Sequence, residues 1–180
     1  RANLLAKAFG IKTDSSTVSD FDADSAQLNH PYLPWAKGWT GQVDLEGGKT
    51  LTLQATKTEN VNEVDCLVIN ATPINGFWTT RWLARDKKGT IRIMRETRNQ
   101  QSVDLIQPFL PSVPEEGWKS WTNASAIPEN YAVVSNLNSK IRLQSGEIME
   151  NCLRIIVHSS EGTLIEYYAK GRGLVKIEKK

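Results

Sequence analysis

The sequence predicts a mainly β protein: antiparallel sheets made of two repeated five-stranded units, disposed as a half-barrel or a sandwich, behind a short N-terminal helix. Three observations carry this expectation. From Lys49 to Lys57 every second residue is apolar, the alternation of a strand with one buried and one wet face. Similar runs continue to the C-terminus, separated by short connections such as Glu46-Gly47-Gly48-Lys49 and Ser160-Glu161-Gly162; these suit antiparallel hairpins, whereas parallel crossovers need more chain. Landmarks of the first half also return, in order, in the second. Pro31-Tyr32-Leu33-Pro34 with Gly38-Trp39 returns as Pro108-Phe109-Leu110-Pro111 with Gly117-Trp118. Asp65-Cys66-Leu67 returns as Asn151-Cys152-Leu153, and Trp82-Leu83-Ala84-Arg85 returns as Tyr167-Tyr168-Ala169-Lys170.

Taken in chain order, residues 1–30 read as a helix over the first nine residues, closed by Gly10, and a loose leader rich in Asp, Ser and Thr. Residues 31–98 form the first β-unit, with strands expected at Lys49–Lys57, Val64–Ala71, Phe77–Arg85 and Thr90–Arg95. A Pro-rich stretch over 99–117 serves as linker and as the opening of the second unit, because proline cannot donate to a sheet ladder. The second unit, 118–180, carries strands at Tyr131–Asn136, Ser139–Gln144, Asn151–Ser159, Thr163–Lys170 and Leu174–Glu178. The whole is expected to be one compact domain, since each sheet alone would leave an apolar face in water.

Composition excludes several classes of function. Among 180 residues, 22 basic and 20 acidic side chains give a net charge of +2, without the basic excess of a dedicated nucleic-acid binder. No apolar run approaches the ~20 residues of a membrane-spanning helix. Two cysteines, Cys66 and Cys152, and two histidines, His30 and His158, offer no zinc-ligand spacing, and no cofactor-binding fingerprint is present. The cysteines, each in an apolar strand, are expected to be buried free thiols. The stretch from Arg81 to Arg98 holds seven basic and two acidic residues and reads as the wet face of two hairpin strands. The chain opens on Arg1, so a segment such as a secretory signal is expected to have been removed upstream.

The terminal strand adds a resemblance. Tyr167-Tyr168-Ala169-Lys170-Gly171-Arg172-Gly173-Leu174-Val175-Lys176, preceded by Glu147-Ile148-Met149-Glu150-Asn151-Cys152-Leu153, resembles the end of bacterial envelope and lipoprotein-like β domains that close with an aromatic-Ala-x-Gly-x-Gly-Leu-Val-Lys strand. The Pro-rich segment before Gly38-Trp39-Thr40 looks like the opening of the same domains. Arg172 stands where a small apolar residue is common. The resemblance implies an antiparallel β domain exported to the periplasm or cell surface, with lipid anchoring through a segment outside this chain as one route, and no assigned catalytic residues.

All six tryptophans come in close pairs, Trp35 with Trp39, Trp78 with Trp82 and Trp118 with Trp121. Paired indoles form either core corners or the rim of a groove. If a groove exists at the junction of the units, Trp39, Trp78, Trp82 and Trp118 are its ligand-binding residues. The function expected is therefore non-enzymatic: an extracytoplasmic binding or scaffold domain whose partner is an envelope protein, lipid or glycan. Two other readings stand beside it. One is a carrier of an apolar small molecule or lipid in a half-open barrel; the other is a hydrolase centred on His158, which lies beside Ser159 and Ser160 but lacks a Gly-x-Ser-x-Gly turn.

Overall fold

A computed structural model describes residues 18–74, 76–121, 131–159 and 161–180, with the backbone alone at position 121. The expected helix over the first nine residues lies outside them. Among the described residues are eleven strands: β1 (Thr40–Asp44), β2 (Thr50–Val61), β3 (Val64–Ala71), β4 (Thr80–Arg85), β5 (Ile91–Arg98), β6 (Gln101–Leu110), β7 (Lys119–Trp121), β8 (Tyr131–Arg142), β9 (Ile148–Ser159), β10 (Gly162–Ala169) and β11 (Gly173–Lys179). Short 3-10 turns stand at Val18–Asp20 and Glu46–Gly48. No helix among these residues is long and apolar enough to cross a membrane.

All the strands belong to one sheet, in the order β6-β5-β4-β3-β2-β1-β11-β10-β9-β8-β7. Every neighbouring pair is antiparallel except β1 with β11, which run parallel where Asp44 faces Lys176. The terminal strands β6 and β7 come alongside each other, so the sheet curls into a nearly closed barrel. This corrects the sandwich alternative and the picture of two separate five-stranded sheets: a sheet this long and twisted curls and brings its edges together.

The alternation read from the sequence decides which side chains enter the barrel. Leu51, Leu53 and Ala55 of β2 are buried inside with Leu67 and Ile69 of β3, Leu83 of β4, Ile91 and Ile93 of β5 and Leu153 and Ile155 of β9. Tyr32, Leu33 and Trp35, from the segment leading into β1, join the same cluster. Two smaller clusters lie on the outer face, made by side chains that alternate with the interior ones. One joins Val61, Val64, Cys66, Ala84 and Met94, with Phe21 and Trp82 packed on it; the other joins Ile141, Leu143, Cys152, Tyr167, Ala169 and Val175. Both cysteines are free and buried, and burial pushes the Cys66 thiol up to about 12, leaving almost no thiolate to react at neutral pH.

Residues 18–30 are no loose leader, because they are fastened to the barrel. Arg85 N donates to Ser25 O, Lys87 N donates to Asp20 O, and Ser25 Oγ donates to Asp65 O. Leu28 is 1% exposed. The stretch expected to be a linker contains β6, paired antiparallel with β5. Proline is tolerated at Pro108 because β6 ends the hydrogen-bonded order. At Gly173, φ is +87° and an added Cβ would collide with Trp35 Nε1, so both the turn and the indole behind it require glycine there.

Backbone bonds around the lead-ins to β1 and β7 correspond closely. Gly38 N donates to Ala55 O, Trp39 N to Ala36 O and Ala55 N to Trp39 O. Gly117 N donates to Val134 O, Trp118 N to Glu115 O and Val134 N to Trp118 O, with every residue advanced by 79.

Candidate ligand pocket in the barrel lumen

A pocket of about 340 Å³ opens inside the barrel at the β6–β7 seam, beside the turns that join β5 to β6 and β9 to β10. Its volume falls within the range of small-molecule sites. Ile93, Leu105, Phe109, Ala132 and Val157 supply apolar wall, and His158, Ser159 and Glu161 stand at the mouth. Between them lies a cluster of charge: Arg81, in phase with Leu83; Glu96 and Arg98 at the end of β5, brought to the inner face by the shift of register between Ile93 and Arg95; and Glu166 of β10.

Glu96 holds the cluster together. Arg81 Nε donates to its Oε2 at 2.7 Å, while Arg98 Nε and Nη2 donate to its Oε1 at 3.2 and 3.1 Å. Burial by itself pushes the Glu96 carboxyl up, but the two guanidiniums outweigh it and hold the group below the usual glutamate range. Arg81 is fixed from both sides, its guanidinium carbon 4.6 Å from the Trp78 ring centre and 5.3 Å from that of Phe109. Deeper in, Tyr168 Oη donates to Glu166 Oε2 at 2.7 Å. Burial pushes the Glu166 carboxyl up, with Glu96 adding repulsion, and the attraction of Arg81 offsets this only in part.

The raised Glu166 carboxyl has a direct consequence for stability. The folded chain keeps that proton to higher pH than the unfolded chain, whose carboxyl titrates near 4.5. This contribution is therefore present at low pH and lost as pH rises through the folded value. Glu166→Gln, which retains an acceptor for Tyr168, is expected to match the parent in thermal melts at pH 4 and to melt higher at pH 8. A variant that melts lower at pH 8 would mean that ionised Glu166 stabilises the fold through Arg81.

Two further polar residues line the pocket from its seam walls. Gln107 Oε1 on β6 and Ser120 Oγ on β7 are buried, on residues 4% and 1% exposed, with no hydrogen-bond partner among the described residues.

The four candidate tryptophans do not converge on this pocket. Trp78 is 2% exposed and packs in the interior behind Arg81. Trp39 and Trp118 pack on the interior cluster from the segments that lead into β1 and β7, Trp39 with its ring 5.3 Å from that of Trp35. Trp82 points outward, its Nε1 donating to Glu59. As Trp78 precedes β4 and Trp82 lies within it, spacing in the sequence says nothing of the face each adopts. The basic stretch is also corrected: Arg81 and Arg92 are buried, at 7% and 5% exposure, rather than wet. The sequence signal for Arg81 was its phase with Leu83.

The two histidines have structural partners. His30 Nε2 donates to Pro111 O at 2.9 Å while its Nδ1 accepts from Tyr32 N, joining the two Pro-aromatic-Leu-Pro segments, and burial lowers its pKa. His158 Nδ1 is 3.2 Å from Thr163 Oγ1 and its ring lies 4.5 Å from that of Tyr131. The nitrogen that a carboxylate would orient in a triad is thus occupied by a threonine hydroxyl.

Fold and pocket together define a class: an all-β, barrel-like domain with a charged, partly apolar lumen open at its seam. Compared with known protein families, curated proteins and solved structures, the chain matches none.

Proposed function

We propose that this chain is a non-enzymatic binding domain that holds a small molecule in its barrel lumen and works outside the cytoplasm, in a bacterial envelope. The lumen pocket carries the reading, because a folded interior of close-packed apolar residues ordinarily closes over such space, whereas here it is lined by charge and by unpaired buried polar atoms. Of the alternatives the sequence raises, the carrier in a half-open barrel fits this geometry best. A flat scaffold surface would place the aromatic side chains outside. The extracytoplasmic setting rests on the likeness of the terminal strand to envelope domains.

The reading includes an origin by duplication, with β1 to β5 answering to β7 to β11. Three features support it: the recurrence of the lead-in hydrogen bonds with an advance of 79; the placement of Cys66 and Cys152 in β3 and β9; and the outer clusters, which pair Cys66 with Ala84 and Trp82, and Cys152 with Ala169 and Tyr167. β6 is then the added strand that fills the seam.

The neutral fluorescent probe N-phenyl-1-naphthylamine tests lumen binding without reference to charge. It is expected to bind the chain at one site, with loss of binding in Ala132→Trp, whose indole would fill the pocket, at unchanged near-ultraviolet circular dichroism. Absence of binding, or equal binding by a folded Ala132→Trp, would overturn the reading.

A further inference from the structure

The identity of the bound molecule is written in which lumen groups lack partners, and the inference rests on the lumen-binding reading above. Each guanidinium carries a planar fork of N–H donors, and among the described residues Glu96 is the side chain that Arg81 and Arg98 hydrogen-bond. One carboxylate therefore stands against two guanidiniums. Glu166 hydrogen-bonds neither guanidinium: its carboxyl accepts from Tyr168 deeper in the lumen, and burial pushes it up, an effect that the attraction of Arg81 and Arg98 offsets only in part. Glu161, at the mouth, is exposed, where water screens it from the interior.

Ser120 Oγ and Gln107 Oε1 point the same way. Both residues line the pocket, these two atoms have no partner among the described residues, and buried polar groups in native proteins are nearly always paired. A serine hydroxyl can donate, and an amide turned about its last bond presents its NH₂ in place of its oxygen. All four groups can therefore donate to an oxyanion. A cation would face two guanidiniums, and a neutral molecule would leave the surplus positive charge in a partly apolar enclosure. A dianion would bring more charge than the single surplus balances.

We infer that the lumen takes an amphipathic monoanion, a medium-chain carboxylate, with its head received by Arg98, Ser120 and Gln107 and its chain lying along Leu105, Phe109 and Val157. The volume of about 340 Å³ suits a short acyl chain rather than a two-chain lipid. Arg98, with its side chain 31% exposed at the rim, meets the head first and can be replaced without leaving a deeply buried vacancy.

The experiment is calorimetric titration of the full chain with decanoate, decanol and decyltrimethylammonium at low ionic strength, with phosphatidylglycerol vesicles as a fourth arm. Decanoate is expected to bind at one site about tenfold or more tighter than decanol, the scale of a lost hydrogen bond to a charged group, and the ammonium is expected not to bind. Arg98→Gln should bring decanoate down to the affinity of decanol, and Ser120→Ala should weaken decanoate severalfold. Arg172→Gln, on the outer surface beside Glu147, should change neither. Equal binding of decanoate and decanol, or an undiminished preference in folded Arg98→Gln, overturns the headgroup assignment while N-phenyl-1-naphthylamine binding keeps the lumen reading. Capture by the vesicles in place of decanoate also overturns it, because the anion recognised is then a surface. If neither the amphiphiles nor N-phenyl-1-naphthylamine bind, both readings fall.

Discussion

Replacing Arg81 by Met is expected to cost about 3–5 kcal/mol of folding stability, the range for removing one partner of a buried ion pair. The Arg81 and Glu96 side chains are 9% and 14% exposed, so water cannot take over the role of the guanidinium. Met fills much of the space between Trp78 and Phe109 but brings no charge to Glu96. Arg98, the remaining partner, is 31% exposed and holds Glu96 from the rim alone. Glu96 is held below its ordinary value of 4.5 in the folded chain, so the stability it contributes is present above that value and lost as pH falls through the folded one. The deficit of the variant should accordingly be largest at neutral pH and shrink in acid. Urea titrations of Arg81→Met, Glu96→Gln and the double variant measure it; the double variant should recover part of the loss, because the two groups are coupled. Additive single effects would show that Arg81 contributes by packing alone.

Asp86→Ala is expected to have an effect of the same size, about 3–5 kcal/mol, for a different reason. Asp86 accepts from Arg92 Nε at 2.9 Å, with the two side chains 3% and 6% exposed. Its other oxygen accepts from the backbone N–H groups of Lys88 and Thr90, both at 2.9 Å, which closes the turn between β4 and β5. The Asp86 backbone also bridges to Phe21, so the turn that its side chain closes is the one to which the N-terminal segment is fastened. Asp86→Asn keeps an acceptor for the turn and loses the charge, and should fall between parent and Ala variant in urea midpoint. A loss below about 1 kcal/mol in Asp86→Ala, the range of exposed pairs, would contradict the buried-pair explanation.

The strand content was legible because alternation is a local property: the run from Leu51 to Ala55 reads as a strand and is one, with Leu51, Leu53 and Ala55 inside. Three strands were not legible. β1 contains Gly41 and little apolar side chain, β7 is three residues long, and β6 carries Pro108, which reads as linker unless the strand is known to end the sheet. Tyr131–Asn136 and Ser139–Gln144 fuse into β8 because shifts of register at Asn136 and Ser139 interrupt the alternation while the pairing with β9 continues. Barrel closure depends on β1 meeting β11, a contact between residues far apart in the chain, and on β6 approaching β7 without a ladder between them, and no local alternation encodes either. The site was hidden for the same reason. Glu96 and Glu166 lie on strands that are brought together by closure alone, and the tryptophans drew notice by size although their faces were undetermined.

Whether the lumen, and no outer surface, is where this protein takes its ligand can be read residue by residue from an amide chemical-shift titration of the isotope-labelled chain with N-phenyl-1-naphthylamine. Binding in the lumen predicts shifts concentrated at Leu105, Gln107, Ser120, Ala132 and Val157, which line the pocket, with residues of the outer clusters such as Cys66, Ala84 and Ala169 unchanged. Shifts centred on those outer clusters, or on Trp82, would contradict it.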